Sequence, residues 1–341
     1  MTCKRLGFFT RLLDDVPAGE RYRLALDQII QAERMGLDSA WVAQHHFDAD
    51  EGGLPSPFVF LAQAAARTSR IRLGTGVVTL PLENPIRVAE DAAVLDLMSG
   101  GRLELGIGTG GNPSAFAAFG HDSEARGTIY AGYFETLRTA LRGQPIGASD
   151  TLMYPAAPQL DRRIWQASFS IEGGRRAGAA GDGLLLSRTQ PRTPRAPRAT
   201  LSDIQNPILD AYHEALPPGM APRILGSRSI FVADNRAEAR RYAEIGLSRF
   251  MTRIAKLGRA VPTGALDDII AAFDIHMGTP DDVIGSLHRD TTLHRVTDVA
   301  GQVHAVDPPH PLILRSIELF ATVVAPAMGW TRTPEHAQTG P

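Results

Sequence analysis

The chain has 341 residues, 43% hydrophobic and 21% charged, which is ample material for a buried core and gives no sign of global disorder. Basic residues number 35 against 37 acidic ones, and the formal net charge of -2 argues against broad attraction to nucleic acid or an anionic membrane; small ligands are the expected partners. A single cysteine, Cys3, rules out an internal disulfide or a cysteine-rich metal site. No apolar run approaches the ~18 residues of a membrane helix and no signal-peptide core is present, so a cytoplasmic protein is expected.

Residues 4–9 (KRLGFF) read as a first strand, and the apolar spacing of Tyr22, Leu26, Ile29 and Ile30 predicts a helix over 20–35 that ends at Gly36. A second strand, 39–42, runs into Gln44-His45-His46-Phe47, and another helix covers 58–67. Residues 71–110 are the most informative stretch. A β-branched strand (IRLGTGVVTLP) is cut by Pro81, a helix opens at Asn84-Pro85 and closes at Gly100-Gly101, and a fourth strand (RLELGIGTGG) follows at once. So short a link between strands of this type implies a parallel crossover.

Residues 110–128 look irregular, a helix covers 130–141, and a fifth strand (RRIWQA) spans 162–167. Helix 172–180 and a sixth strand at 183–187 come next. The run 188–199 (RTQPRTPRAPRA) holds four arginines and three prolines with no acid, so it is a loop: either a solvated excursion or a mobile lid bringing positive charge over a site. Helix 204–216, a seventh strand within 223–232 and a long helix at 236–253 follow. Residues 261–264 look loose. Gly278-Thr279-Pro280 signals a helix over 280–288, 296–303 is an eighth strand, and 311–324 a final helix. Eight strands alternating with helices favour a single (β/α)8 barrel over residues 1–330, with a doubly wound sheet as the alternative; residues 331–341 read as a flexible tail.

Three constellations carry chemistry. Gly106-Ile107-Gly108-Thr109-Gly110-Gly111 matches GxGxxG formally, but the glycines follow the fourth strand and open no dinucleotide fold; what remains is that glycines at a strand end let a ligand approach backbone N–H groups. His45 and His46 end the second strand, where neighbouring side chains point to opposite faces, so only one meets the barrel mouth; no further ligand recurs at metal spacing. Either histidine is a candidate proton donor or simply satisfies local backbone groups. In Ser168-Phe169-Ser170-Ile171-Glu172-Gly173-Gly174-Arg175, hydroxyls, glycines and a helix start coincide, which suits a phosphate and equally suits a plain N-cap.

QHHF after strand two, GTGVVTLPLENPIRVAEDAAVLDLMSGGRLELGIGTG, SFSIEGGRRAGAAGDG and GTPDDV, in that order over about 300 residues, resemble the bacterial luciferase-like flavin monooxygenases. The resemblance implies a (β/α)8 barrel with FMN at the C-terminal mouth, reduced by a separate flavin reductase. Oxygen then adds to form a C4a-hydroperoxyflavin that attacks an aldehyde, alkane, sulfonate or similar small organic substrate. It matches the family's active-site histidine to His45 and a turn against the isoalloxazine, often with a non-proline cis peptide, to Gly76-Val77. The flavin-phosphate serine matches Ser170, with Ser168, Gly173 and Gly174 beside it.

Thr109, next to Gly110, stands where the luciferase alpha subunit has a phosphate-binding arginine, and Arg175 is a candidate to compensate. Gly108 replaces that subunit's reactive cysteine and Gln44 the glutamate before its histidine, so light emission is not expected. The superfamily also holds deazaflavin-dependent enzymes that transfer hydride, and His45 serves either chemistry. A non-catalytic flavin-binding protein and a metal-free phosphate-binding barrel isomerase are the readings from other classes. A homodimer is expected, with Ala89, Ala92 and Ala93 either forming its contact or packing on the barrel.

Overall fold

In the computed structural model, which describes residues 2–331 apart from 149, 194, 257 and 259, eight parallel strands close into a barrel. They are β1 (Arg5–Thr10), β2 (Ser39–Val42), β3 (Arg72–Thr75), β4 (Leu103–Gly108), β5 (Ile164–Ala167), β6 (Gly183–Leu186), β7 (Ile224–Val232) and β8 (Asp298–Gln302). Each pairs with the next, and β8 returns to β1 through Val299 opposite Leu6, so the open doubly wound alternative falls. The expected tail lies outside the described residues from 332 onward. No helix among the described residues is long and apolar enough to cross a membrane.

Local chemistry sets the element ends. Asn84 accepts from the amides of Ile86 and Arg87 with Pro85 at the first helical position, starting Pro85–Met98 where the sequence signals it. Thr279 and Asp282 form a reciprocal capping box at Pro280–His288. Three expectations need correction. The stretch 110–128 is not irregular: Asn112 caps a helix Pro113–Ala118, the same Asn-Pro signal as at 84–85. After the loose 261–264 region come an unforeseen helix, Leu266–Ala272, and a strand, Ile275–Gly278, which pairs with the far end of β7 outside the barrel. The third strand stops at Thr75, resumes at Val78–Thr79, and passes into a turn at Leu80–Leu82.

The barrel interior is layered. At the N-terminal end Arg5 pairs with Asp298 at 2.8 Å and Arg72 with Glu104, while Trp165 Nε1 donates to Glu104 at 2.7 Å; this plug satisfies the two buried carboxylates. Above it Trp41 and Trp165 meet edge to face at 5.5 Å and fill the centre with Leu185, Leu225 and Ala300. Glycines make the room: a Cβ on Gly74 would lie 2.2 Å from Trp41, and one on Gly183 2.2 Å from Trp165. Phe9, Val77 and Ala167 roof this core and floor the C-terminal mouth. Ala89, Ala92 and Ala93 are fully buried, so in the monomer they pack on the barrel.

Candidate active site

His45, His46, Gly76, Val77, Thr109, Gly110, Ser168 and Ser170 follow the C-terminal ends of β2, β3, β4 and β5, on one mouth of the barrel. The Gly76–Val77 peptide after β3 is cis. The bare α-carbon of Gly76 leaves space for Phe9, whose ring would be 2.5 Å from a Cβ there, and Val77 would be 2.8 Å from a Cβ on Gly108. Phe9, Gly76, Val77 and Gly108 thus form one tight floor across β1, β3 and β4. Gly110 turns away with φ of +69°, over Thr79, and Thr109 beside it is half-buried.

β2 stops at Val42, so His45 and His46 lie in the loop that follows it, and their side chains diverge. His46 leaves the mouth and packs edge to face on Phe119 at 4.9 Å. His45 Nε2 accepts from Arg11 Nη2 at 2.9 Å, since a guanidinium only donates; its Nδ1 is buried, has no partner and lies against the bare α-carbon of Gly52. Burial holds the His45 imidazole well below its ordinary range, and the neighbouring Arg11 charge adds to the effect. The ring is therefore neutral near pH 7 with its proton on Nδ1. Arg11 is pinned through a second bond from Nη2 to the Glu51 carbonyl at 2.5 Å, and its Nε is buried without a partner.

The loop after β2 is fastened across the mouth. Arg253 on the helix Arg236–Lys256 bonds Asp48 at 2.8 Å, and Asn112 donates to Glu51 at 2.6 Å. Gln44 ties the base of that loop to the β3 side, accepting from the Thr79 amide at 2.7 Å and donating to Glu83 at 2.6 Å.

At β5, Ser170 caps Ile171–Ala179. The amides of Gly173 and Gly174 are already donated to Ser170, at 3.1 Å to Oγ and 3.0 Å to the carbonyl, and no partner is found among the described residues for those of Ile171 and Glu172. Both glycines are also needed for packing: a Cβ on Gly173 would collide with Ser168 Oγ, and one on Gly174 would lie 2.5 Å from the Ile208 carbonyl. The helix start, with the Ser168 hydroxyl beside it, is open to solvent and has the free amides that could hold an anion. Arg175 faces Glu172 and Glu214, and Arg176 faces Gln166 and Tyr130, so neither reaches back to that helix start.

The arginine-rich loop, for which the sequence leaves a solvated excursion and a mobile lid open, turns two of its four arginines inward. Arg188 is buried and bonded to Ser229 at 3.2 Å, and Arg192 pairs with Asp274 at 2.5 Å; Arg195 and Arg198 alone face solvent. Sequence reasoning missed Arg11 and His304, and named Arg188 only as part of the 188–199 run. Arg11 and His304 sit just past the ends of β1 and β8, and that position is the one signal that could have found them.

The pattern of the luciferase-like monooxygenases matches residues 6–306. The chain belongs to that family. As a member it is an oxidoreductase of the monooxygenase class. A 4-hydroxyprotoasukamycin monooxygenase from Streptomyces nodosus subsp. asukaensis is 31% identical, with 98% of each chain covered. The FMN-bound oxygenating constituent of 3,6-diketocamphane monooxygenase from the Pseudomonas putida CAM plasmid shares the fold with a TM-score of 0.74, at 20% identity over 95% of this chain and 98% of that one. A coenzyme F420 dependent tetrahydromethanopterin reductase from Methanopyrus kandleri superposes with a TM-score of 0.68, at 19% identity over 96% of this chain and 100% of its own.

Proposed function

We propose that this protein is a flavin-dependent monooxygenase that uses reduced FMN, delivered by a separate reductase, and O2 to oxygenate a small organic substrate such as an aldehyde or alkane. The observation that carries the reading is a mouth with two complementary ends: an anion seat at the start of Ile171–Ala179, and a water-poor pocket where Arg11 and His45 hold buried nitrogens with no partner. These features fit a flavin mononucleotide. Ser168 and Ser170 with the free amides would take the phosphate, Thr109 and Gly110 would border it, and the Gly76–Val77 ledge would support the ring. The bound flavin would supply the electrons and, with O2, the transferred oxygen.

The chain's own groups divide the remaining work. Phe9, Val77 and Ala167 line the pocket with hydrocarbon and keep water off the reacting face. Arg11 brings a positive charge to where negative charge develops, and burial strengthens that interaction. His45, neutral and fixed by Arg11, offers the proton on Nδ1. We further propose a homodimer; Val94, Leu97 and Met98 form an exposed apolar stripe on Pro85–Met98. Hydride transfer with a deazaflavin is the second reading, favoured by the shared fold with the F420-dependent reductase. Turnover under isotopically heavy O2 separates them: one product oxygen must come from O2 for the monooxygenase, and none for hydride transfer.

A further inference from the structure

Three arginines are buried among the described residues, and two of them face a carboxylate: Arg138 pairs with Asp182 at 2.6 Å and Arg228 with Asp290 at 2.5 Å. Arg188, 5% exposed at the end of β6, is the exception. It has one hydrogen bond, to the Ser229 hydroxyl at 3.2 Å, it lies 6.0 Å from the centre of the Phe250 ring, and no carboxylate pairs with it among the described residues. Asp307 and Asp274 act on it through space but neither forms an ion pair with it, and a buried guanidinium without a direct partner is costly, which is why such groups are normally paired. Burial lowers it to about 9, where it is still a cation at neutral pH.

The groups around it are also unfinished. His304 packs on the same Phe250 ring at 5.2 Å, and its Nδ1 meets Asp307 Oδ2 at 2.7 Å. A carboxylate only accepts, so the proton sits on Nδ1 and His304 Nε2, buried and without a partner, is a bare acceptor. Gln302 Oε1 and both amide atoms of Gln190 are likewise buried and unpartnered. One cation, one free acceptor and two carboxamides thus stand at the β6 and β8 ends of the mouth, across the barrel from Gly76–Val77 and the β4 end.

We propose that Arg188 anchors the substrate: the molecule oxidised here carries an anionic oxygen, a carboxylate or an ionised enol or phenol, that pairs with the guanidinium while a neighbouring donor on the same molecule meets His304 Nε2. This rests on the reading of the mouth as the flavin and substrate site. A reduced flavin ring is itself anionic and is the other source of negative charge, so the test must separate the two.

Calorimetric titration of the full chain with benzoate and with benzamide, its neutral isostere, reads the preference directly. Wild type binds benzoate at least about tenfold more tightly, Arg188→Met removes that preference and leaves benzamide within about twofold, and Ser229→Ala weakens benzoate by about two- to fivefold. Circular dichroism melts check that each variant folds; should Arg188→Met unfold, Arg188→Lys, which keeps the charge, retains part of the preference and Ser229→Ala carries the comparison. Equal binding of the two probes by wild type, or a benzoate preference that survives Arg188→Met, overturns the proposal. So does a variant that loses reduced FMN in anaerobic titration while its benzoate affinity stands. If wild type shows the Arg188-dependent preference and binds no flavin, the anion site holds and the flavin reading falls.

Discussion

Arg11 donates from Nη2 to His45 Nε2 at 2.9 Å, and that contact fixes which nitrogen of the histidine carries the proton. With Nε2 committed as an acceptor, the imidazole is neutral with its proton on Nδ1, the positive charge of the pair resides on the guanidinium, and in the proposed reaction His45 would act as a donor through Nδ1.

The pair is therefore expected to act as a unit. His45→Ala lowers kcat/KM by about 10²–10⁴-fold, the range for removal of a positioned acid–base group, with flavin affinity within about twofold of wild type. Arg11→Met costs a comparable factor, and the double variant costs little more than either single one, because partners in one machine are not additive. Since burial and Arg11 hold His45 well below its usual range, the wild-type profile shows no histidine limb between about pH 6 and 7.

Ser170 has two duties, and a pair of ligands separates them. Its hydroxyl caps the helix through the Gly173 amide at 3.1 Å, so Ser170→Ala lowers stability by about 1 kcal/mol. If the same helix start seats the flavin phosphate, the variant binds FMN about tenfold more weakly while riboflavin, which lacks the phosphate, is unaffected. Fluorescence quenching titrations with both ligands give the comparison.

Much of this arrangement was legible in the chain because it is written in local signals. Asn84-Pro85 and Thr279-Pro280 mark helix starts, and the alternation of strands with helices implies the barrel. Asn112-Pro113 repeats the first signal, yet the flanking glycines mask it, since Gly110, Gly111 and Gly120 read as loop. The interior was less legible. Arg11, Arg188 and His304 lie far apart in sequence, and only closure of β8 on β1 and β7 brings their side chains to one mouth. The run 188–199 reads as either a solvated excursion or a lid because composition carries no information on direction; Arg188 turns inward where Arg195 and Arg198 do not.

The tryptophan layer gives a stability test. In Gly183→Ala the new Cβ would stand 2.2 Å from the Trp165 ring, which cannot retreat because Trp41 packs against it at 5.5 Å. The expected cost is about 1–3 kcal/mol, seen as a fall in the urea midpoint with unchanged m-value. Ala at Gly111, where nothing lies within 4 Å, is the control.

Buried histidines contribute to the acid limb of stability, His276 and His304 alongside His45. Burial lowers His276 and His304 to about 4, so between about 6.5 and 4 the unfolded chain binds more protons than the folded one. Stability from these groups is complete above pH 6.5 and is lost as pH falls towards 4. At pH 5 each contributes a loss of at most about 2 kcal/mol relative to pH 7.5. Urea unfolding at the two pH values measures it, and His276→Asn, which removes one titrating group, flattens the dependence.

The central claim is that the mouth binds reduced FMN and directs its reaction with oxygen. Anaerobic titration of the purified protein with reduced FMN, followed by rapid mixing with O2 and absorbance detection, tests it in one experiment. Saturable binding, with reoxidation that follows a kinetic course absent from free flavin and altered in His45→Ala, is the expected result. Failure to bind reduced FMN, together with tight binding of a reduced deazaflavin that is inert to O2, would contradict the monooxygenase reading and leave hydride transfer in its place.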